Sequence, residues 1–253
     1  VCGVVVICVA GAAWASGEWE KALEVRRLSD RVLVLTEVSP WESNHVVIET
    51  ERGLVLVDPG HSPAMARLLR AATAAELGGR DRFAWVVDHH GHWGHSWGNG
   101  AFPEALVIGH EGTAAEMRAD AANLVQRRDA FRQRLTDVEA RLAAAAPGSG
   151  ERSALRLERD HVESIVRGLS EDGFQVRPPE LTFSDRLTLD LGDVTLRMYY
   201  LGHGHSASDA VIFVPEEKVL LLGCFFFIIP ENRPRTSDAV RFMRIFAIRL
   251  RLW

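Results

Sequence analysis

Short β-branched runs separated by turn residues dominate the first hundred positions. Residues 31–38, 45–50 and 54–57 read as strands, divided by Ser39-Pro40 and by Glu51-Arg52-Gly53. Asp58-Pro59-Gly60 ends the third run. Ser62-Pro63 then supplies an N-cap and a first helical position, so a helix is predicted to run to about residue 77, where Gly78-Gly79 stops it. Residues 83–87 and 105–108 are two more short strands. Strands interleaved with a helix predict an α/β arrangement, and in open α/β sheets ligands collect at the carboxyl ends of the strands.

The period then changes. Met117, Ala121, Leu124, Phe131, Leu135, Val138, Leu142 and Ala145 follow an alternating four-and-three spacing, interrupted only at Arg128. That is a coiled-coil-like stripe on one helix spanning residues 113–146. Pro147-Gly148-Ser149-Gly150 breaks it. Leu155, Val162, Ile165, Val166 and Leu169 then line one face of a second helix. Together they predict a helical hairpin inserted at about residues 113–170, a packing or lid element whose stripe would also suit a homo-oligomer contact. His161 falls on it and reads as a surface histidine. Strand character returns at residues 181–183. Two hairpins follow, residues 186–191 with 194–200 around Gly192-Asp193, and residues 210–214 with 218–222.

With 47% hydrophobic and 25% charged residues among 253, the chain has the make-up of a globular protein. A net charge of −5 provides no basic field for nucleic acid. Residues 1–15 are uncharged and end in Ala13-Trp14-Ala15 before Ser16. They read as the apolar core and cleavage site of a secretory signal peptide, with a buried strand over residues 4–7 as the alternative. The run is shorter than the roughly 20 residues that cross a bilayer, so no stable membrane span is expected. The expectation is a periplasmic or secreted protein with one domain over residues 16–253. Without residues 1–15, Cys224 is the last of three cysteines and no internal disulfide can form.

Candidate chemistry concentrates in histidine. Four of the ten histidines lie in Asp88-His89-His90-Gly91-His92-Trp93-Gly94-His95. On an extended segment His90 and His92, two apart, face the same side and can share a cation, while His89 faces the other way. His95 reaches a neighbouring position. Gly202-His203-Gly204-His205 lies in a distant loop, and an imidazole from it completes a His₃ zinc set; His205 and His203 both qualify. Cys224 ends the last strand pair and reads equally as a fourth ligand or as a small buried hydrophobe. His61 and His110 sit in loops near strand ends. Asp58 and Asp209 either support the histidine loops or cap adjacent elements. Trp93 and Trp97 flank the cluster as cleft wall or packing.

Over about residues 31–224 these motifs resemble the metallo-β-lactamase-fold hydrolases. The family's H-x-H-x-D-H aligns on His90, Gly91, His92, Trp93, Gly94 and His95. Val57-Asp58-Pro59-Gly60 is similar to its Asp-containing turn, His205 matches its later metal-binding histidine, and residues 210–223 are similar to the strand, turn and strand before its Gly-Asp. The resemblance implies an αββα sandwich with a metal site at one edge of its two sheets. It implies a zinc-dependent hydrolase acting on a small-molecule ester, thioester, lactam or phosphoester.

The departures from the family bear on activity. Gly94 replaces the motif Asp that ligates the second metal and handles the nucleophilic water. Cys224 replaces the bridging Asp, and no histidine follows His205. The resemblance thus implies that His90, His92 and His205 survive as one metal site, with the second reduced to His95. One zinc ion and weakened hydrolysis are expected; the alternative is a non-catalytic metal-binding protein or scaffold. Cys224 would close a four-ligand shell with His90, His92 and His205. The stretch after Cys224 reads as an incomplete C-terminal part, with Ser237-Asp238 capping a short helix that carries Phe242, Ile245, Phe246 and Leu250.

Overall fold

The computed structural model describes residues 19–38 and 43–224 together with the backbone of residues 247–249. The expected signal segment, the Ser39-Pro40 turn and the Ser237-Asp238 cap lie outside these residues. Seven strands form the first sheet in chain order: β1 (Leu23–Arg27), β2 (Val32–Glu37), β3 (Asn44–Thr50), β4 (Gly53–Val57), β5 (Phe83–Asp88), β6 (Leu106–His110) and β7 (Leu181–Phe183). Strands β1 to β4 pair antiparallel, and β4 to β7 pair parallel. The second sheet is antiparallel and comprises β8 (Arg186–Asp190), β9 (Thr195–Tyr200), β10 (Ala210–Val214), β11 (Val219–Leu221) and β12 (Ala247–Arg249).

Period-two side chains build the layers. Val32, Val34, Val46, Ile48, Val55 and Val57 point inward against Leu196, Met198, Ile212 and Val214 of the second sheet. Leu33, Leu35, Val47, Leu54 and Leu56 point outward against Met65, Ala66, Leu69 and Ala72 of α2 (Pro63–Glu76); the short helices α1 (Trp19–Ala22) and α3 (Trp93–Ser96) precede β1 and follow β5. Strands covered on both faces read as continuous apolar runs, which is how they stand in the sequence. The N-cap of α2 is Ser62, whose Oγ accepts the Met65 N–H at 3.2 Å, with Pro63 in the first turn.

Two elements differ from the sequence reading. The long helix expected over residues 113–146 is two helices, α4 (Glu111–Ala122) and α5 (Leu124–Ala144), parted at Asn123. Asn123 leaves helical geometry there, as a residue whose side chain competes for backbone hydrogen bonds readily does. The tail helix expected through Leu250 is also overturned, because residues 247–249 form strand β12, paired antiparallel with β11. Pairing satisfies the backbone groups that β11 would otherwise present at an open edge.

Helix α5 packs antiparallel on α6 (Gly150–Leu169) as the expected hairpin. Phe131 and Val162, Ile165 and Leu169 close over Trp97, Met117, Phe174 and Val176; Val138 and Ala145 meet Leu155 further out. Arg134 donates to Glu158 across the pair at 2.9 Å. Met117, Phe131, Val138 and Ala145 of the stripe are therefore buried within the chain, while Leu124, Leu135 and Leu142 are partly covered and Ala121 is exposed. Leu135 lies at the rim of the cluster and Val162 at its fully buried centre. Val162→Asp should cost about 3–5 kcal/mol by leaving an uncompensated buried charge, and Leu135→Asp less. Denaturant unfolding monitored by far-UV circular dichroism checks the order, and equal stabilities would show that the hairpin is not held by this seam.

Candidate metal centre

The site grows from the shared carboxyl edge of the parallel strands. Asp58 directly follows β4 in the left-handed region, at φ 59°, a conformation aspartate tolerates better than most residues. Its backbone N–H is held by Val87 O at 3.0 Å, so the turn after β4 is tied to the end of β5. There the fully buried Asp58 carboxylate accepts three hydrogen bonds. Oδ1 takes the His89 backbone N–H at 3.1 Å, and Oδ2 takes His89 Nδ1 and, at 3.0 Å, His95 Nδ1. Burial alone would raise its pKa. The charge and hydrogen bond of His89 and the hydrogen bond of His95 outweigh it and hold the carboxyl well below the usual carboxylate range.

The histidine segment is then clamped to the same turn. Gly60 N–H donates to His95 O at 3.0 Å, and Gly98 N–H donates to Gly60 O at 2.9 Å. A Cβ on Gly98 would lie 2.2 Å from Pro59 O, so only glycine permits this approach.

Two groups of donors result, each with one ligand atom per residue within 4.8 Å of the others. One is His90, His92 and His205; the other is His89, His90, His95 and Cys224. His90 belongs to both. It is fully buried, and its Nε2 has no hydrogen-bond partner among the described residues. Burial and the surrounding imidazoles push its pKa well down, which keeps it neutral, the form that ligates metal. His92 is exposed and His205 half-buried, with His92 Nδ1 3.1 Å from His205 Nε2. The second group is buried throughout.

His89 departs from the reading that turned it away from His90. Its Nε2 lies 2.6 Å from His90 Nδ1 and accepts the Cys224 backbone N–H at 3.1 Å. Strand β5 ends at Asp88, so strict strand alternation no longer applies beyond it, and Asp58 draws the ring inward. Gly223, at φ 58°, lets the chain pass over that ring; a Cβ there would sit 2.2 Å from His89 Cδ2. Cys224 is thereby delivered to His89, His90 and His95 rather than to the trio with His92 and His205. Its Sγ lies 3.7 Å from His95 Nε2. Burial raises the thiol, but the charge of His95 and hydrogen bonds with His89 and His95 bring it down to about 6, favouring the thiolate that binds metal.

A cavity of about 500 Å³ opens beside these groups, lined by His92, Trp93, Gly94, His95 and Glu116 among others. Glu116 went unnoticed in the sequence. Its Oε2 accepts Gly91 N–H at 3.2 Å and Ser208 Oγ–H at 2.9 Å, joining the two histidine loops. No local signal marks it, because its partners lie 25 and 92 positions away. Asp209 accepts Ser206 N–H at 2.5 Å and so shapes the His205 loop. His110 caps α4 through Gly112 N–H and stacks on Tyr200, which makes it structural. His203 belongs to neither donor group. Trp97 is core packing, whereas Trp93 walls the cavity.

Among known proteins, residues 38–245 match the Metallo-beta-lactamase superfamily. A "Metallo-beta-lactamase type 2" from Bacteroides fragilis is 37% identical over 73 residues, which are 27% of this chain and 28% of that protein. A metallo-beta-lactamase from Pontibacter korlensis superposes with a TM-score of 0.52 at 20% identity, covering 80% of this chain and 71% of that one. An inverting sec-alkylsulfatase from Pseudomonas sp. does so with a TM-score of 0.51 at 19% identity, over 78% of this chain and 30% of that one. At these identities the two structures share the fold with this chain.

Proposed function

The chain belongs to the metallo-beta-lactamase superfamily, and on that premise we propose that it is a zinc-dependent hydrolase of a small ester, thioester, lactam or phosphoester. The observation that carries this reading is the trio His90, His92 and His205 beside the cavity, with His90 Nε2 buried and unpartnered. Three neutral imidazoles fit zinc and leave a position open, as catalytic zinc sites do. When bound there, zinc supplies a Lewis acid that polarises a substrate oxygen and acidifies water. The chain's own part is positioning. Glu116 holds the His92 and His205 loops together, and Asp58 orients His95 beside them. Gly94, in the motif-Asp position, brings no carboxylate, so general-base assistance is weak and slow turnover is expected. The test is zinc-dependent turnover of a panel of these four substrate classes, lost on chelation and restored by zinc. No turnover of any member by zinc-loaded protein would sink the reading.

A second reading has its own observation. His89, His90, His95 and Cys224 are a buried four-donor set, and a closed shell marks a structural rather than a catalytic zinc. In that reading the protein binds metal without catalysis. X-ray absorption separates the two. A Zn–S path near ~2.3 Å supports the closed shell, and Cys224→Ser should then weaken zinc binding. A shell of nitrogen and oxygen alone, with zinc affinity unchanged by Cys224→Ser, supports the open trio.

A further inference from the structure

A third cluster stands apart from the histidine loops. Glu37 at the end of β2, His61 in the loop after β4 and His161 on α6 each place one ligand atom within 4.8 Å of the others, and all three are buried. His161, expected at the surface, is only 8% exposed. It faces inward because His161, Ile165 and Gly168 share one side of α6, at positions i, i+4 and i+7. Gly168 brings that side against the β4–α2 loop, since a Cβ there would stand 2.5 Å from Ser62 Cβ. The helix therefore lands on the residue next to His61.

Three buried polar atoms of His61 and Glu37 have no hydrogen-bond partner among the described residues. Neither ring nitrogen of His61 has a hydrogen-bond partner among the described residues, and His61 is 3% exposed. Glu37 Oε1 faces His45 Nε2 at 3.1 Å, while Oε2 has no partner. His45 in turn donates Nδ1–H to Asp58 O at 2.6 Å, so the carboxylate is held in place from behind. A buried imidazole with both nitrogens unmet is costly, and a bound cation relieves that cost at one of them. His61 and His161 also line the cavity shared with His92 and His95.

The geometry points to a second metal site, a zinc ion held by Glu37, His61 and His161 that pins the helical hairpin to the sandwich. Two imidazoles and one carboxylate form a recognised zinc donor set, with a fourth position left for water from the cavity. Because Glu37 and His61 belong to the sandwich and His161 to the hairpin, zinc here joins the two parts of the molecule.

Anomalous diffraction at the zinc edge from zinc-soaked crystals of the full chain tests this without any variant. A peak among Glu37, His61 and His161 is expected, and its absence overturns the site. Peaks at this position and at His90 are read separately, so the two assignments fail independently. In solution, Glu37→Gln and His161→Asn should each lower zinc by one equivalent per chain. Zinc should also raise the melting temperature of the parent more than that of His161→Asn. Unchanged stoichiometry in both folded variants would equally overturn the proposal.

Discussion

Gly94→Asp should raise zinc-dependent hydrolysis by about 10²–10⁴-fold, the contribution a positioned acid–base group typically makes. The position is suited to the change. Gly94 lines the cavity between His92 and His95, and a Cβ built on it meets nothing within 4 Å. Its φ lies outside the left-handed region that disfavours side chains. The carboxylate would thus enter open space beside the imidazoles and supply the proton acceptor that the motif-Asp position lacks in the native chain. The check is kcat on the fastest substrate of the panel, with zinc content measured alongside. Equal kcat in the variant and the parent would show that the missing carboxylate does not limit the reaction.

His90→Ala should weaken zinc binding more than the loss of any other donor at this centre. His90 is the one residue common to both donor groups, whereas His92 and Cys224 each belong to one. If roughly 10–16 kcal/mol of binding is shared among four ligands, losing one costs on the order of 10²–10³-fold in affinity. Competition titration against a chromophoric chelator measures it. The fold should survive, since His90 leaves the apolar clusters of the sandwich untouched. A His92→Ala loss equal to that of His90→Ala would mean that His90 holds metal only in the trio. Unchanged affinity in both variants would remove the centre altogether.

The strands that frame this centre were readable because their information is local. The unbroken apolar runs Val32-Leu33-Val34-Leu35 and Val46-Val47-Ile48 show two covered faces, and Ser62-Pro63 marks a helix start through its own side chain and ring. The break at Asn123 is not legible in the sequence, since the apolar stripe runs on at helical spacing while Asn123 itself leaves helical geometry. Strand β12 was missed for a related reason. Apolar residues at 245, 246, 248 and 250 suit a short helix as well as a strand, and the unpaired edge of β11 decides between them.

The sequence by itself determined the α/β architecture, the hairpin and the pairing of His90 with His92, because period, caps and spacing act within a few residues; His205 joined that pair only through the family resemblance. Only the tertiary structure decided which side His89 takes, which donors Cys224 meets and where His161 ends up. Each of these depends on a partner far along the chain: Asp58 for His89, the turn at Gly223 for Cys224, and the Ser62 contact of Gly168 for His161. Spacing along a chain records which face a residue occupies on its own element. Which loops meet at the edge of the sheet is set by strand order and by how closely helices dock, and those follow from burial summed over the whole molecule.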